Sequence, residues 1–280
     1  MASSPSDGLE RVSRLLWIKL NARATIATLF RTPCRQVPWP TQWAMGRFAV
    51  GAIAMVVASM FVLDGWAIAY IRRCPASLIE AFNRFTDLGK SGYWLWPIGL
   101  MLAVLAIFDR RKLGFSRQIL AAWSVRLGFV FTAIAAPGLF VAIVKRLIGR
   151  ARPLVAGDDV WFYAPFGWKV DYASFPSGHA TTGFATLVAI GAIFPQARGL
   201  LWIYAVMVAL SRVVVTAHHP SDVVAGAVVG TVGALLVRHW FAARRLGFRV
   251  GADGVVRSMP GPSLRRIFKA ITGPQQTARS

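Results

Sequence analysis

The sequence predicts an all-α polytopic membrane protein with a six-helix transmembrane core and a short interfacial helix. Three observations lead there. Of its 280 residues 56% are hydrophobic and the mean hydropathy is +0.53, beyond what an ordinary water-facing surface carries. The apolar residues are gathered into several runs of membrane-spanning length. Short stretches rich in Arg and Lys separate these runs, as in multi-pass proteins.

In chain order, residues 1–43 form a basic leader broken by Pro33, Pro38 and Pro40, with a possible amphipathic surface helix over Leu15 to Phe30. Residues 44–238 hold the six-span domain. The first span runs from about Trp43 to Leu63 and stops at Asp64-Gly65. Ala76 to Leu88 alternates Leu78, Ile79, Phe82, Phe85 and Leu88 with Glu80, Asn83, Arg84 and Asp87, which suits a helix lying at the interface. The second span, Gly92 to Phe108, ends at Asp109-Arg110-Arg111-Lys112. The third runs from Ile119 to Val144, with Arg126 placed to snorkel and Pro137 expected to kink it or free a carbonyl. An aromatic loop, Leu154 to Phe175, follows; its Trp and Tyr residues belong at the headgroup level. The last three spans cover His179 to Phe194, Leu200 to Thr216 and Ser221 to Val237. Residues 239–280 are a basic tail whose Gly251 to Gly254 and Pro260-Gly261-Pro262 predict turns.

Six crossings put both termini on one side, and the positive-inside bias makes that side the cytoplasm. The interfacial helix, the aromatic loop and the polar clusters then face outward, toward the periplasm if the membrane is a bacterial inner membrane. The formal charge of +21 is expected to meet anionic lipid headgroups, since no nucleic-acid motif accompanies it. Nothing calls for an obligate protein partner. Cys34 and Cys74 fall on opposite sides of this topology, so no disulfide is expected, and no Cys/His set has metal-ligand spacing.

The polar residues that such a chain does not need for spanning are concentrated between Lys145 and Asp222. Lys145, Arg146, Arg150 and Arg152 follow the third span directly and end at Pro153. Arg forks match phosphate oxygens with directed donors, and Lys adds a mobile point charge. Pro176-Ser177-Gly178-His179 opens the fourth span, where Ser177 can cap, Gly178 lets the backbone approach a ligand and helix-terminal amides favour an anion. Ser211-Arg212 closes the fifth span. His218 and His219 lie four and three positions before Asp222, so either imidazole can be held by that carboxylate, and local geometry leaves the choice open. A stop-transfer charge cluster, a capped helix and a structural polar knot are the bland readings of the three groups taken singly.

Together the three clusters resemble the type 2 phosphatidic acid phosphatase family of integral membrane lipid phosphatases, whose active-site pattern is shared with vanadium haloperoxidases. Lys145 through Arg152-Pro153 matches its first motif, Pro176 to His179 its second, and Ser211-Arg212, His218 and Asp222 its third. The resemblance implies that Lys145, Arg152, Ser177, the amide of Gly178 and Arg212 hold phosphoryl oxygens. It implies that His218 attacks phosphorus, that Asp222 orients it and that His179 protonates the leaving group. Neither metal nor cofactor is implied. Arg146, Arg150 and Lys169 add cations as possible headgroup contacts. The expected activity is hydrolysis of a membrane lipid phosphate or polyprenyl diphosphate, with lipid A and phosphatidylglycerophosphate as alternative substrates. A transporter or channel with a phosphate-binding site is the alternative of a different class.

Overall fold

The structure, a computed structural model, describes residues 42–107, 117–157 and 159–261, together with 30–33, 37–40 and a few earlier positions. The amphipathic helix expected over Leu15 to Phe30 lies largely outside the described residues, as do Cys34 and the tail from residue 262.

The chain is helical nearly throughout. The helices are α1 (Gln42–Val62), α2 (Asp64–Ile71), α3 (Ala76–Thr86), α4 (Gly92–Ile107), α5 (Arg117–Ile148), α6 (Gly178–Ile193), α7 (Arg198–Val214) and α8 (Pro220–Ala243). Among the described residues, four helical stretches are long and apolar enough to cross a membrane: Gln42–Val62, Ile119–Ile148, Pro195–Val214 and Pro220–Ala243. Of the other two expected spans, α6 has 16 residues, about 24 Å of rise against a hydrocarbon core of about 30 Å, and α4 has 16 up to residue 107, where the described residues stop. Large apolar side chains on the outer faces, such as Phe48, Ile53 and Phe61 of α1 and Leu139 and Phe140 of α5, are exposed in the protein and suit lipid contact.

One difference from the sequence reading matters for the site. The chain does not leave the helix at Asp64-Gly65; α2 starts there, with Asp64 fully buried in its first turn. α5 continues through Pro137 as one helix of 32 residues. The turn expected at Gly251 to Gly254 joins two short antiparallel strands, β1 (Phe248–Val250) and β2 (Val256–Ser258).

The chain divides into two compact units. One comprises residues 38–97 and 129–239 and contains all three polar clusters. The other comprises residues 1–37, 98–128 and 240–280. In this second unit Arg126, expected to snorkel, donates to the Met259 carbonyl at 2.7 Å, beyond the end of the hairpin.

In the first unit the polar clusters converge because small residues let helices approach. Leu187 of α6 packs on Leu201 and Ala205 of α7. A Cβ on Gly226 of α8 would run into the Ser177 carbonyl, and one on Gly230 into the Thr181 carbonyl. Thr181 uses this proximity, donating its hydroxyl to the carbonyls of Ser177 (2.8 Å) and Gly226 (3.1 Å). The interfacial helix α3 packs on α7 and so reaches the same end of the bundle.

Gly226→Ala is therefore expected to lower the thermal midpoint in detergent, by an overpacking cost of about 1–3 kcal/mol. Gly51→Ala in α1, where a Cβ meets nothing within 4 Å, should leave the midpoint unchanged or raise it.

Candidate active site

The site is assembled on a backbone frame. Gly149 ends α5 with φ of +66°, a conformation that a side chain would strain, and a Cβ there would strike the Ala164 carbonyl. From this turn the chain runs extended against the aromatic loop: Ala151 N–H donates to Phe162 O (3.0 Å) and Ala164 N–H to Gly149 O (2.7 Å). Arg152 N–H donates to Asp171 O (2.8 Å). Ser177 N–H, just before α6, donates to Asp222 O (2.9 Å), which joins the second cluster to the third. α7 ends at Val214; Thr216 takes φ of +53°, and the N–H groups of Ala217 and His218 both return to Arg212 O at 3.1 Å.

Arg150 lies at the centre of the frame and is 0% exposed. Its Nη1 donates to Asp222 Oδ1 and Ser221 Oγ, both at 2.7 Å, and its Nη2 to Asp64 Oδ2 (2.8 Å) and Val160 O (2.9 Å). Asp64 also accepts from Ser221 N–H (3.0 Å) and Ser221 Oγ (2.6 Å). Burial works against the guanidinium charge, but the carboxylates of Asp222 and Asp64 outweigh it and hold Arg150 more firmly protonated than usual. The headgroup contact expected of Arg150 is thus overturned: its fork is occupied inside the protein by two carboxylates, and it presents no surface to a lipid. Arg146 donates to the main-chain carbonyls of Trp168 (2.5 Å) and Lys169 (3.1 Å), tying the aromatic loop to the end of α5, and Lys169 is exposed.

The cations matched to the phosphate-binding motifs behave differently. Among the described residues, the buried side-chain atoms without a hydrogen-bond partner include Arg152 Nε, Arg212 Nε, Ser177 Oγ and His179 Nε2, and also Arg150 Nε and His219 Nδ1; what sets Arg152 and Arg212 apart is that neither shares Arg150's pairing with two carboxylates. Arg152 and Arg212 are electrostatic neighbours, as are Lys145 and Arg152. Like charges gathered around unpaired donors are costly in a protein interior, and a phosphoryl group's oxygens relieve both costs. Arg212 is steadied by Thr86 at the end of α3, which accepts from its Nη1 at 2.6 Å and from Ser211 Oγ at 3.0 Å.

The structure separates the two adjacent histidines. His218 feels the charges of Asp222, Arg212 and Arg152, whereas His219 feels Asp222, Arg150 and Asp64. His218 therefore has Arg212 and Arg152 as its cationic neighbours, and His219 has Arg150. The backbone N–H of His219 donates to Asp222 Oδ2 at 2.9 Å. His218 Nδ1 stands 3.7 Å from Asp222 Oδ2, and the Ser174 hydroxyl contacts both residues. His179 has Arg212, Lys90, Lys145 and the His218 ring as neighbours. A cavity of about 550 Å³ is bounded by His179, Lys145 and Lys90 at its polar part and by Leu95, Ala135 and Leu139 along its apolar wall.

Asp64, Thr86, Ser174 and Ser221 are the members that the sequence reading missed. Asp64 carried a signal, as a carboxylate directly after an apolar run in a chain with only 11 acidic residues. Thr86, Ser174 and Ser221 carried none in spacing or residue type.

Burial holds His218 below the ordinary histidine pKa of 6.5. The neutral ring is thus favoured by folding; this contribution is complete above pH 6.5 and is lost as pH falls through the depressed folded-state value. The acid limb of a kcat/KM profile is expected below pH 6.5, and a limb above it would contradict a buried, neutral His218. Arg150→Met leaves two buried carboxylates uncompensated and should destabilise the protein by about 3–5 kcal/mol, read as a fall in thermal midpoint at neutral pH.

The family model of the PAP2 superfamily matches residues 126–246, which contain all three clusters. A lipid A 1-phosphatase of Rhizobium etli is 33% identical over 239 residues, covering 84% of this chain and 98% of the relative. A decaprenylphosphoryl-5-phosphoribose phosphatase of Mycobacterium tuberculosis is 36% identical over 144 residues, covering 50% of this chain and 69% of the relative. The crystal structure of Aquifex aeolicus LpxE is 24% identical with a TM-score of 0.44, covering 61% of this chain and 91% of that one. With its polar clusters inside the matched region and a relative aligned over nearly its full length, the chain belongs to the PAP2 superfamily and is a membrane phosphatase.

Proposed function

We propose that the protein hydrolyses the 1-phosphate of lipid A through a phosphohistidine on His218. The observation that carries the reaction is that Lys145, Arg152, Arg212, His179 and His218 are electrostatic neighbours, with buried, unpartnered polar atoms on Arg152, Ser177, His179 and Arg212. Lys145, Arg152, Arg212, Ser177 Oγ and the Gly178 N–H hold the phosphoryl oxygens, whose charge demand rises toward five coordination. His218, with Nδ1 turned toward Asp222 and Ser174, presents Nε2 to phosphorus. The Nε2–P bond forms as the P–O bond to the lipid breaks, and His179 gives its proton to the departing oxygen. Water then attacks phosphorus, His179 takes a proton from it, and cleavage of the N–P bond releases inorganic phosphate.

The substrate reading rests on the lipid A 1-phosphatase relative, aligned over most of both chains. The cavity supports an amphiphile, since its apolar wall leads to Lys145 and His179. The decaprenyl-linked relative favours a second reading, a polyprenyl-linked phosphate, over half of the chain. The basic stretches favour cytoplasmic termini on anionic lipid, with the site on the periplasmic face of a bacterial inner membrane.

Purified wild type should release phosphate from lipid A faster than from undecaprenyl diphosphate, phosphatidylglycerophosphate or phosphatidic acid in matched mixed micelles, with EDTA present. His218→Ala should lose at least about three orders of magnitude in kcat while folded. Full release by folded H218A rejects the nucleophile, and a faster prenyl substrate rejects the lipid A assignment. In sealed right-side-out vesicles the outer-leaflet lipid should be dephosphorylated; reaction only in inverted vesicles rejects the periplasmic site.

A further inference from the structure

We infer that Ser174 is a positioning residue for the nucleophile, the hydroxyl bridge through which Asp222 holds His218; this rests on the reading of His218 as the group that attacks phosphorus. The usual expectation is a direct carboxylate–imidazole hydrogen bond, and here Nδ1 of His218 is 3.7 Å from Asp222 Oδ2, beyond hydrogen-bond range. Ser174 Oγ occupies the gap. It donates to Asp222 Oδ2 at 2.5 Å and lies 3.4 Å from His218 Nδ1.

Counting donors on Asp222 shows why a bridge is needed. Oδ1 accepts from Arg150 Nη1, and Oδ2 accepts from Ser174 Oγ and from the backbone N–H of His219. The two lone pairs of Oδ2 are thus engaged before His218 is considered. A hydroxyl has one hydrogen, and that of Ser174 is directed to a carboxylate, which only accepts. Toward His218 the same oxygen can act only as an acceptor, so Nδ1 carries the ring proton and Nε2 keeps its lone pair. When Nε2 bonds to phosphorus, the ring becomes an imidazolium. Its Nδ1–H then donates to Ser174 Oγ while the Ser174 hydrogen stays on Asp222, and no proton has to leave the ring.

The bridge is fixed in place. Ser174 is 0% exposed, and its backbone N–H donates to Arg150 O at 3.1 Å. The residue therefore joins the aromatic loop, the Arg150 segment and the start of α8 at the atom that orients the nucleophile. It lies outside the three motif clusters and has no assigned part in phosphate binding.

The test compares full-length Ser174→Ala, Ser174→Cys, Asp222→Asn, the Ser174→Ala/Asp222→Asn double variant and His218→Ala. Rates are taken on lipid A and on dioctanoyl phosphatidic acid, with thermal midpoints measured in parallel. The expected result is a kcat about 10- to 100-fold lower in both Ser174 variants, with KM within about twofold of wild type. Ser174→Ala should cost little more once Asp222→Asn is present, because the two act through one hydrogen-bond chain. The cysteine variant keeps the buried shape with a weak donor, and it decides the question if the alanine variant does not fold. Wild-type kcat in a folded Ser174 variant, with His218→Ala inactive, overturns the inference while leaving the nucleophile assignment intact. The same fold-loss with and without Asp222→Asn overturns it as well, because Ser174 would then act independently of Asp222. Full activity in His218→Ala instead overturns the reading on which the inference rests.

Discussion

A guanidinium buried between two carboxylates is tolerated when its charge is answered, and Arg150 meets that condition: its two terminal nitrogens donate to Asp222, Ser221, Asp64 and the Val160 carbonyl, while its Nε has no partner. The four partners of this fork come from α2, the aromatic loop and the first turn of α8. Satisfying one residue thus fixes three segments relative to the end of α5. Asp222 is held on Oδ1 by Arg150, which leaves Oδ2 for Ser174 and the His219 amide. The orientation of His218, the proposed nucleophile, depends on this division of one carboxylate.

The same end of the bundle holds two kinds of cation, and their difference separates scaffold from site. Arg150 is closed within the protein. All three arginines keep a buried Nε without a partner, as do Ser177 Oγ and His179 Nε2, but Arg150 is paired with two carboxylates while Arg152 and Arg212 have each other's charge as a neighbour. A fold can retain such unmade hydrogen bonds when an anion makes them during function, and the surrounding network supplies the rigidity that keeps the donors aimed. Thr86 gives Arg212 one fixed partner and leaves its Nε directed elsewhere. α3, which reads as a surface helix by its amphipathic pattern, therefore braces the site as well.

Close helix approach makes this convergence possible. In lipid there is little hydrophobic gain from packing apolar faces, so contact depends on small residues and on interhelical hydrogen bonds. Gly226 and Gly230 bring the backbone of α8 onto that of α6, and Thr181 bonds across the junction. The Ser177 amide can then reach the Asp222 carbonyl, so two clusters 45 residues apart in sequence, from Ser177 to Asp222, share a main-chain hydrogen bond.

Much of this was legible in the sequence. Apolar run length gave the long helices within a few residues, because burying backbone groups in hydrocarbon requires continuous helix. The ends of α1, α6 and α7 fall close to the expected span ends, and the three polar clusters meet through Arg150 to Asp222 and the Ser177 amide to the Asp222 carbonyl. Local spacing could not distinguish His218 from His219, since either can reach Asp222 within one turn. It could not distinguish Arg150 from its neighbours either, because four basic residues in eight positions look alike until their surroundings are known. The sequence by itself determined the membrane class, the helices and the residue types available at their ends. Only the tertiary structure decided which arginine is paired with two carboxylates, and which histidine lies beside Arg152 and Arg212. Those choices depend on contacts such as Arg150 to Asp64 and Arg212 to Thr86, across 86 and 126 residues, and local periodicity carries no record of pairings at such separations.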